Sequence, residues 1–120
     1  MSSFRRGTVV VGGVAAALAL GVSAQAGPSA APQRVAVTAT EFAFTVKPKT
    51  VRKGSPVVFT VRNRGRVAHD FRIGGRKTAV LAGGKTGTLR VTFKKAGRYR
   101  YICTLPSHAI AGMAGVLVVR

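Results

Sequence analysis

Acidic side chains are almost missing from this sequence. In 120 residues there are two, Glu41 and Asp70, against 20 lysines and arginines, for a formal net charge of +18 at pH 7. Charge of that size speaks to partners and solubility, not to fold. Cysteine occurs once, as Cys103, so no intrachain disulfide can form. The sequence shows no internal repeat and no long stretch of helical periodicity. A cysteine–histidine hydrolase is not expected. Thiol catalysis needs an orienting third group and an oxyanion hole, and nothing in the sequence marks either.

The one long apolar run stands at the N-terminus. Arg5 and Arg6 precede an uncharged segment over residues 8–22, and Ala24-Gln25-Ala26 follows as an A-x-A cleavage pattern. This is the layout of a secretory signal peptide over residues 1–26. The run falls short of the about 20 apolar residues that a bilayer span needs. No charge lies between Arg6 and Arg34, so an uncleaved leader would leave the protein anchored to a membrane. The Arg5-Arg6 pair does not decide the export route. Cleavage after Ala26 sends residues 27–120 to a periplasmic or extracellular space, and the loss of two arginines takes the charge from +18 to +16. Such compartments oxidise thiols. A solitary Cys103 there is buried and inert, paired with another chain, or held by a metal.

Residues 27–33, GPSAAPQ, read as a flexible lead-in, and residues 34–120 as one domain. Strands are expected over 34–40, over EFAFTV at 41–46, and over 57–62, 68–73, 78–81, 88–94, 97–103 and 115–119. Residues 47–56 read as a turn-rich link. Alternation is clearest over 88–94, where Leu89, Val91 and Phe93 face in while Arg90, Thr92 and Lys94 face out. Period-two alternation, β-branched residues and closely spaced turn signals predict an all-β sandwich or barrel of about seven to eight strands. Residues two apart in a strand share a face. His69 therefore shares the inner face of Phe71 and Ile73, and Cys103 that of Tyr99 and Tyr101.

With Met1 removed in the leader, the remaining imidazoles and sulfurs are His69, Cys103, His108 and Met113. Three of these fall within CTLPSHAIAGM, residues 103–113. Taken singly, each has an ordinary reading: Cys103 as a small hydrophobe, Met113 as core, His69 as a satisfied interior histidine, His108 as a solvated loop residue. Taken together, two imidazoles, one thiolate and a weak axial thioether make the ligand set of a blue-copper site. Zinc is the rival metal, but it prefers closed sites of cysteine, histidine and carboxylate, and a His-His-Cys set binds Cu(II) more tightly.

The stretches NRGRVAHDFRI (residues 63–73) and YICTLPSHAIAGMAGVLVV (residues 101–119) resemble those of the cupredoxins, the blue copper family that includes plastocyanin and azurin. EFAFTVKPKTVRKG at 41–54 partly keeps the family's opening pattern, and the likeness runs over nearly all of 35–119. Many members carry asparagine where this chain has Asp70. The resemblance implies a Greek-key β-sandwich and one copper ion, with His69, Cys103 and His108 as equatorial ligands and Met113 as the axial one. It implies a one-electron carrier, not an enzyme, with His108 as the electron port amid Leu105, Pro106, Ala109, Ile110 and Ala111. A non-redox copper binder for delivery, storage or sensing is the alternative. Asp70 and Thr104, each next to a ligand, are expected to pair across the loops. Outward Arg90, Lys94, Arg98 and Arg100 form a solvated basic face, or steer toward an acidic redox partner or an anionic cell surface. A monomer is expected. Nucleic acid is not an expected partner, since only the charge speaks for it.

Overall fold

The computed structural model describes residues 31–120. The leader expected over 1–26 and the start of the lead-in lie outside the described residues. Among the described residues there are nine strands: β1 (Gln33–Thr40), β2 (Ala43–Lys47), β3 (Thr50–Val51), β4 (Pro56–Asn63), β5 (Arg72–Ile73), β6 (Arg76–Lys77), β7 (Thr86–Thr92), β8 (Gly97–Ile102) and β9 (Ala114–Val119). They form a four-stranded sheet in the order β2-β1-β4-β7 and a five-stranded sheet in the order β3-β9-β8-β5-β6. Both sheets are mixed, because β1 runs parallel to β4 and β3 parallel to β9.

Alternation decides which side chains meet between the sheets. Val35 and Val37 of β1, Val57, Phe59 and Val61 of β4, and Leu89 and Val91 of β7 are buried, and their strand neighbours face outward. From the other sheet come Ile73, Tyr101, Leu117 and Val119. Phe71 lies at the middle, 5.3 Å from both Phe44 and Phe59 and 5.4 Å from Tyr101, ring centre to ring centre. Aromatic contacts of this kind add to the hydrophobic burial.

Several strand assignments need correction. Over residues 68–73 the inward alternation is real, since His69, Phe71 and Ile73 are all buried. Only Arg72–Ile73 is a strand, however, and His69 makes an isolated bridge to Leu81. The reason lies at Phe71, whose N–H donates to the Thr78 hydroxyl while its carbonyl accepts from the Thr78 N–H. That side-chain bond replaces a rung of the ladder, so residues 78–81 are not a strand either. Conversely, β3 inside the expected link and β6 at Arg76–Lys77 are strands of two residues each. β1 begins at Gln33, whose amide is tied to the backbone of Arg52 by bonds of 2.9 and 2.7 Å. The outward basic residues do not make one face. Arg90 stands on β7 in one sheet, Arg98 and Arg100 on β8 in the other, and Lys94 between them in sequence.

Candidate metal centre

One pole of the sandwich gathers the loops that carry the chemistry. His69 is held by its own backbone: its N–H donates to the Leu81 carbonyl at 3.0 Å, and the Leu81 N–H returns a bond of 2.7 Å. Asn63, fully buried at the end of β4, ties down the surrounding loop. Its Nδ2 donates to the carbonyls of Val67 and Leu81, and its Oδ1 accepts from the Gly65 N–H. Cys103 follows directly on β8 and continues its inward parity, so its side chain is buried.

The loop from Cys103 to Met113 closes on itself. The Cys103 N–H donates to the Met113 carbonyl and the Met113 N–H to the His108 carbonyl, at 3.1 and 3.0 Å. Further turns bond His108 N–H to Leu105 and Ala111 N–H to Ser107. Gly112 has φ of 124°, and a Cβ there would come within 2.9 Å of the Phe42 carbonyl. Only glycine fits that position without displacing the turn that caps the site.

These elements bring three expected ligands together. His69 Nδ1 lies 3.2 Å from His108 Nδ1, and Cys103 Sγ lies 3.4 Å from the same His108 nitrogen. The donor atoms of His69, Cys103 and His108 all fall within 4.8 Å of one another. Met113 is fully buried and packs in one small cluster with Cys103 and Ala39. His69 and Cys103 are buried and His108 is half-buried, with the Phe42 ring edge-on to it at 4.9 Å.

Both carboxylates of the chain are committed here. Glu41 Oε1 sits 2.9 Å from His69 Nε2, and the same carboxylate accepts the backbone N–H groups of Arg66 and Val67. An ionised carboxylate only accepts, so Nε2 carries the hydrogen and the Nδ1 lone pair faces the other donors. Gly65 makes room for this, because a Cβ there would overlap the Glu41 carboxylate. The Val67 N–H first, then His69 and the Arg66 N–H, hold Glu41 below its ordinary value of 4.5. A lowered carboxyl contributes stability above its unfolded value and loses it as pH falls through the folded one. Asp70 Oδ1 accepts the Thr104 N–H at 2.6 Å and Oδ2 the Thr104 hydroxyl at 2.5 Å, which is the expected cross-loop pair. Burial pushes the Cys103 thiol up, and the N–H groups of Asp70 and Leu105 act against it. A metal binding there displaces that proton, so affinity falls with falling pH.

The sequence reading missed Glu41. It took EFAFTV as strand from its first residue, but β2 begins at Ala43, and the chain turns at Glu41 and Phe42 so that both side chains reach the pole. The available clue was scarcity: Glu41 is one of two acids in the chain. Glu41→Gln keeps an acceptor but removes the charge. Copper affinity is expected to fall about 10–100-fold, and the reduction potential to rise, because the oxidised ion loses a nearby anion. Competition titration and voltammetry check this, and no change in either quantity would refute it.

The donor chemistry fits copper. Two imidazole nitrogens face each other with a sulfur beside them, no carboxylate belongs to the cluster, and a buried thioether residue lies next to the cysteine. The family model described as Cupredoxin-like domain matches residues 13–119. The copper-resistant cuproprotein CopI of Rubrivivax gelatinosus is 34% identical over 94 aligned positions, covering 59% of this chain and 56% of the relative. This chain therefore spans little more than half the length of that relative. The solved structure of auracyanin B superposes with a TM-score of 0.67 at 24% identity, covering 78% of this chain and 92% of that one. Rusticyanin superposes with a TM-score of 0.60 at 26% identity, covering 78% of this chain and 80% of that one. With the family match spanning almost the whole chain and the same sandwich in these solved structures, the protein belongs to the cupredoxin-like family of blue copper proteins.

Proposed function

We propose that this chain is an exported blue copper protein, cleaved after Ala26, that carries single electrons between redox partners. It holds one copper ion between His69, Cys103 and His108, with Met113 as a weak fourth ligand. The observation that carries the reading is the convergence of one nitrogen from each imidazole and the Cys103 Sγ within 4.8 Å at a largely buried pole. Copper, when bound, supplies a one-electron Cu(I)/Cu(II) couple.

The chain's own residues do the rest. Glu41 fixes the tautomer and ring angle of His69. The Asp70–Thr104 pair fastens the residue after Cys103 to the residue after His69, so two ligand-bearing segments move as one. A frame held this way changes little when charge at the site changes. Cys103 gives up its proton and presents a thiolate from a buried position. His108 is the half-buried ligand, and Leu105, Ala109, exposed Pro106 and Ile110 at 94% exposure lie around it in the loop. A small apolar patch of that kind suits brief docking by a redox partner. Auracyanin and rusticyanin support a carrier, although the fold also occurs in a copper nitrite reductase and a multicopper oxidase.

A second reading has a specific observation behind it: CopI is named for copper resistance. Copper handling would show as slow exchange of the ion with a partner or chelator and no reversible couple. Voltammetry on the copper-loaded protein separates the two readings. A reversible one-electron wave with fast self-exchange is expected, and an irreversible wave with slow, reversible exchange of copper with a partner or chelator would favour handling.

A further inference from the structure

The outer side of the five-stranded sheet carries a groove of about 240 Å³ lined by Arg72, Ile73, Gly74, Gly75, Arg100 and Ile102. Arg72 of β5 stands directly opposite Ile102 of β8, and Arg100 lies two residues back along β8 on the same face. Both arginines are exposed, and Lys77 of β6 pairs in register with Arg72 from the other side. The β5–β6 turn closes one end. Gly74 and Gly75 both have positive φ, 59° and 78°, and no atom comes within 4 Å of where a Gly75 Cβ would stand. Among the described residues the amide N–H groups of these two glycines find no acceptor.

Among the described residues the two arginines have no counter-charge of their own. The chain has two acidic residues. Glu41 is taken up by His69 and the Arg66–Val67 backbone, and Asp70 by Thr104 and Lys77. Among the described residues those two acids make the only ion pairs, so Arg72 and Arg100 face the groove unpaired.

We propose that this groove is an oxyanion site that takes a phosphate group. A carboxylate offers two coplanar oxygens, which one guanidinium fills in a fork. Two guanidiniums from neighbouring strands, with turn amides at the end, exceed that. A phosphate has more oxygens and more charge, and both arginines can engage it from different sides. The phosphate comes either free in solution or on a lipid headgroup. Ile102 faces out where Cys103 faces in, so the groove and the metal donors lie on opposite sides of the sheet. The site is independent of copper and of the electron-carrier reading.

The test is a titration of the 15N-labelled leaderless chain, residues 27–120, with inorganic phosphate, followed by NMR. Saturable shifts are expected at Arg72, Gly74, Gly75, Arg100 and Ile102. The double variant Arg72→Gln/Arg100→Gln should bind about tenfold more weakly. The control Arg62→Gln/Arg90→Gln removes the same charge from the outer face of the other sheet and should bind as the native chain does. Phosphatidylglycerol vesicles give the second arm. Flotation lost in the first variant alone assigns the phosphate to a lipid, and equal flotation of both variants with the NMR result intact assigns it to the free ion. Shifts spread over both sheets, or equal loss in the two variants, would show diffuse charge and overturn the proposal. Tighter binding of hexaglutamate than of phosphate at the same amides would overturn it in favour of an acidic protein.

Discussion

Cys103→Ser abolishes the intense visible absorption of the Cu(II)-loaded chain and weakens copper retention by more than about 100-fold. The bound is conservative, because groups that only support a ligand are already worth about 10–100-fold. The expected band is a thiolate-to-copper transition, and a serine hydroxyl cannot supply it. The substitution is close in size at a position only 1% exposed, beside Ala39 and Met113, so the fold should survive. Far-ultraviolet circular dichroism tests that survival, and absorption with copper competition tests the loss. Native-like absorption in the serine variant would mean that the sulfur is not a ligand.

Asn63→Ala is expected to cost about 2–4 kcal/mol of stability. Asn63 is fully buried and its side chain serves three backbone groups: the carbonyls of Val67 and Leu81 and the N–H of Gly65. Alanine leaves each of them short of a partner. Leu81 also keeps a bond from the His69 N–H, which softens the loss there. For a domain of this size the change lowers Tm by roughly 10–25 °C. Because the same loops carry His69 and receive Glu41, the variant should also bind copper more weakly at temperatures where it is still folded. A variant that melts within a degree or two of the native protein would show that water replaces the amide without cost.

Much of this architecture was legible from alternation. Leu89, Val91 and Phe93 are buried on the expected parity. Alternation reports which side chains turn inward, and that is also why His69 and Cys103 could be placed on inner faces. It does not report which backbone groups pair. Residues 68–73 show the difference, since their inward side chains are real while the Thr78 hydroxyl takes a rung that a strand would have filled. The short strands β3, β5 and β6 depend on neighbours that local sequence cannot name. At the site, the convergence of His69, Cys103 and His108 was legible because the chain holds so few imidazoles and sulfurs. Glu41 was not, because its partner lies 28 residues away and the intervening turn brings the two together only in three dimensions.

In the proposed site His69 and three side chains of the 103–113 loop share one copper ion. Copper K-edge X-ray absorption on the loaded protein addresses this sharing directly. A first shell of two imidazole nitrogens and one short sulfur contact is expected, with Met113 sulfur at most a longer contact and the short sulfur lost in Cys103→Ser. A shell of nitrogen and oxygen alone in the native protein would contradict it.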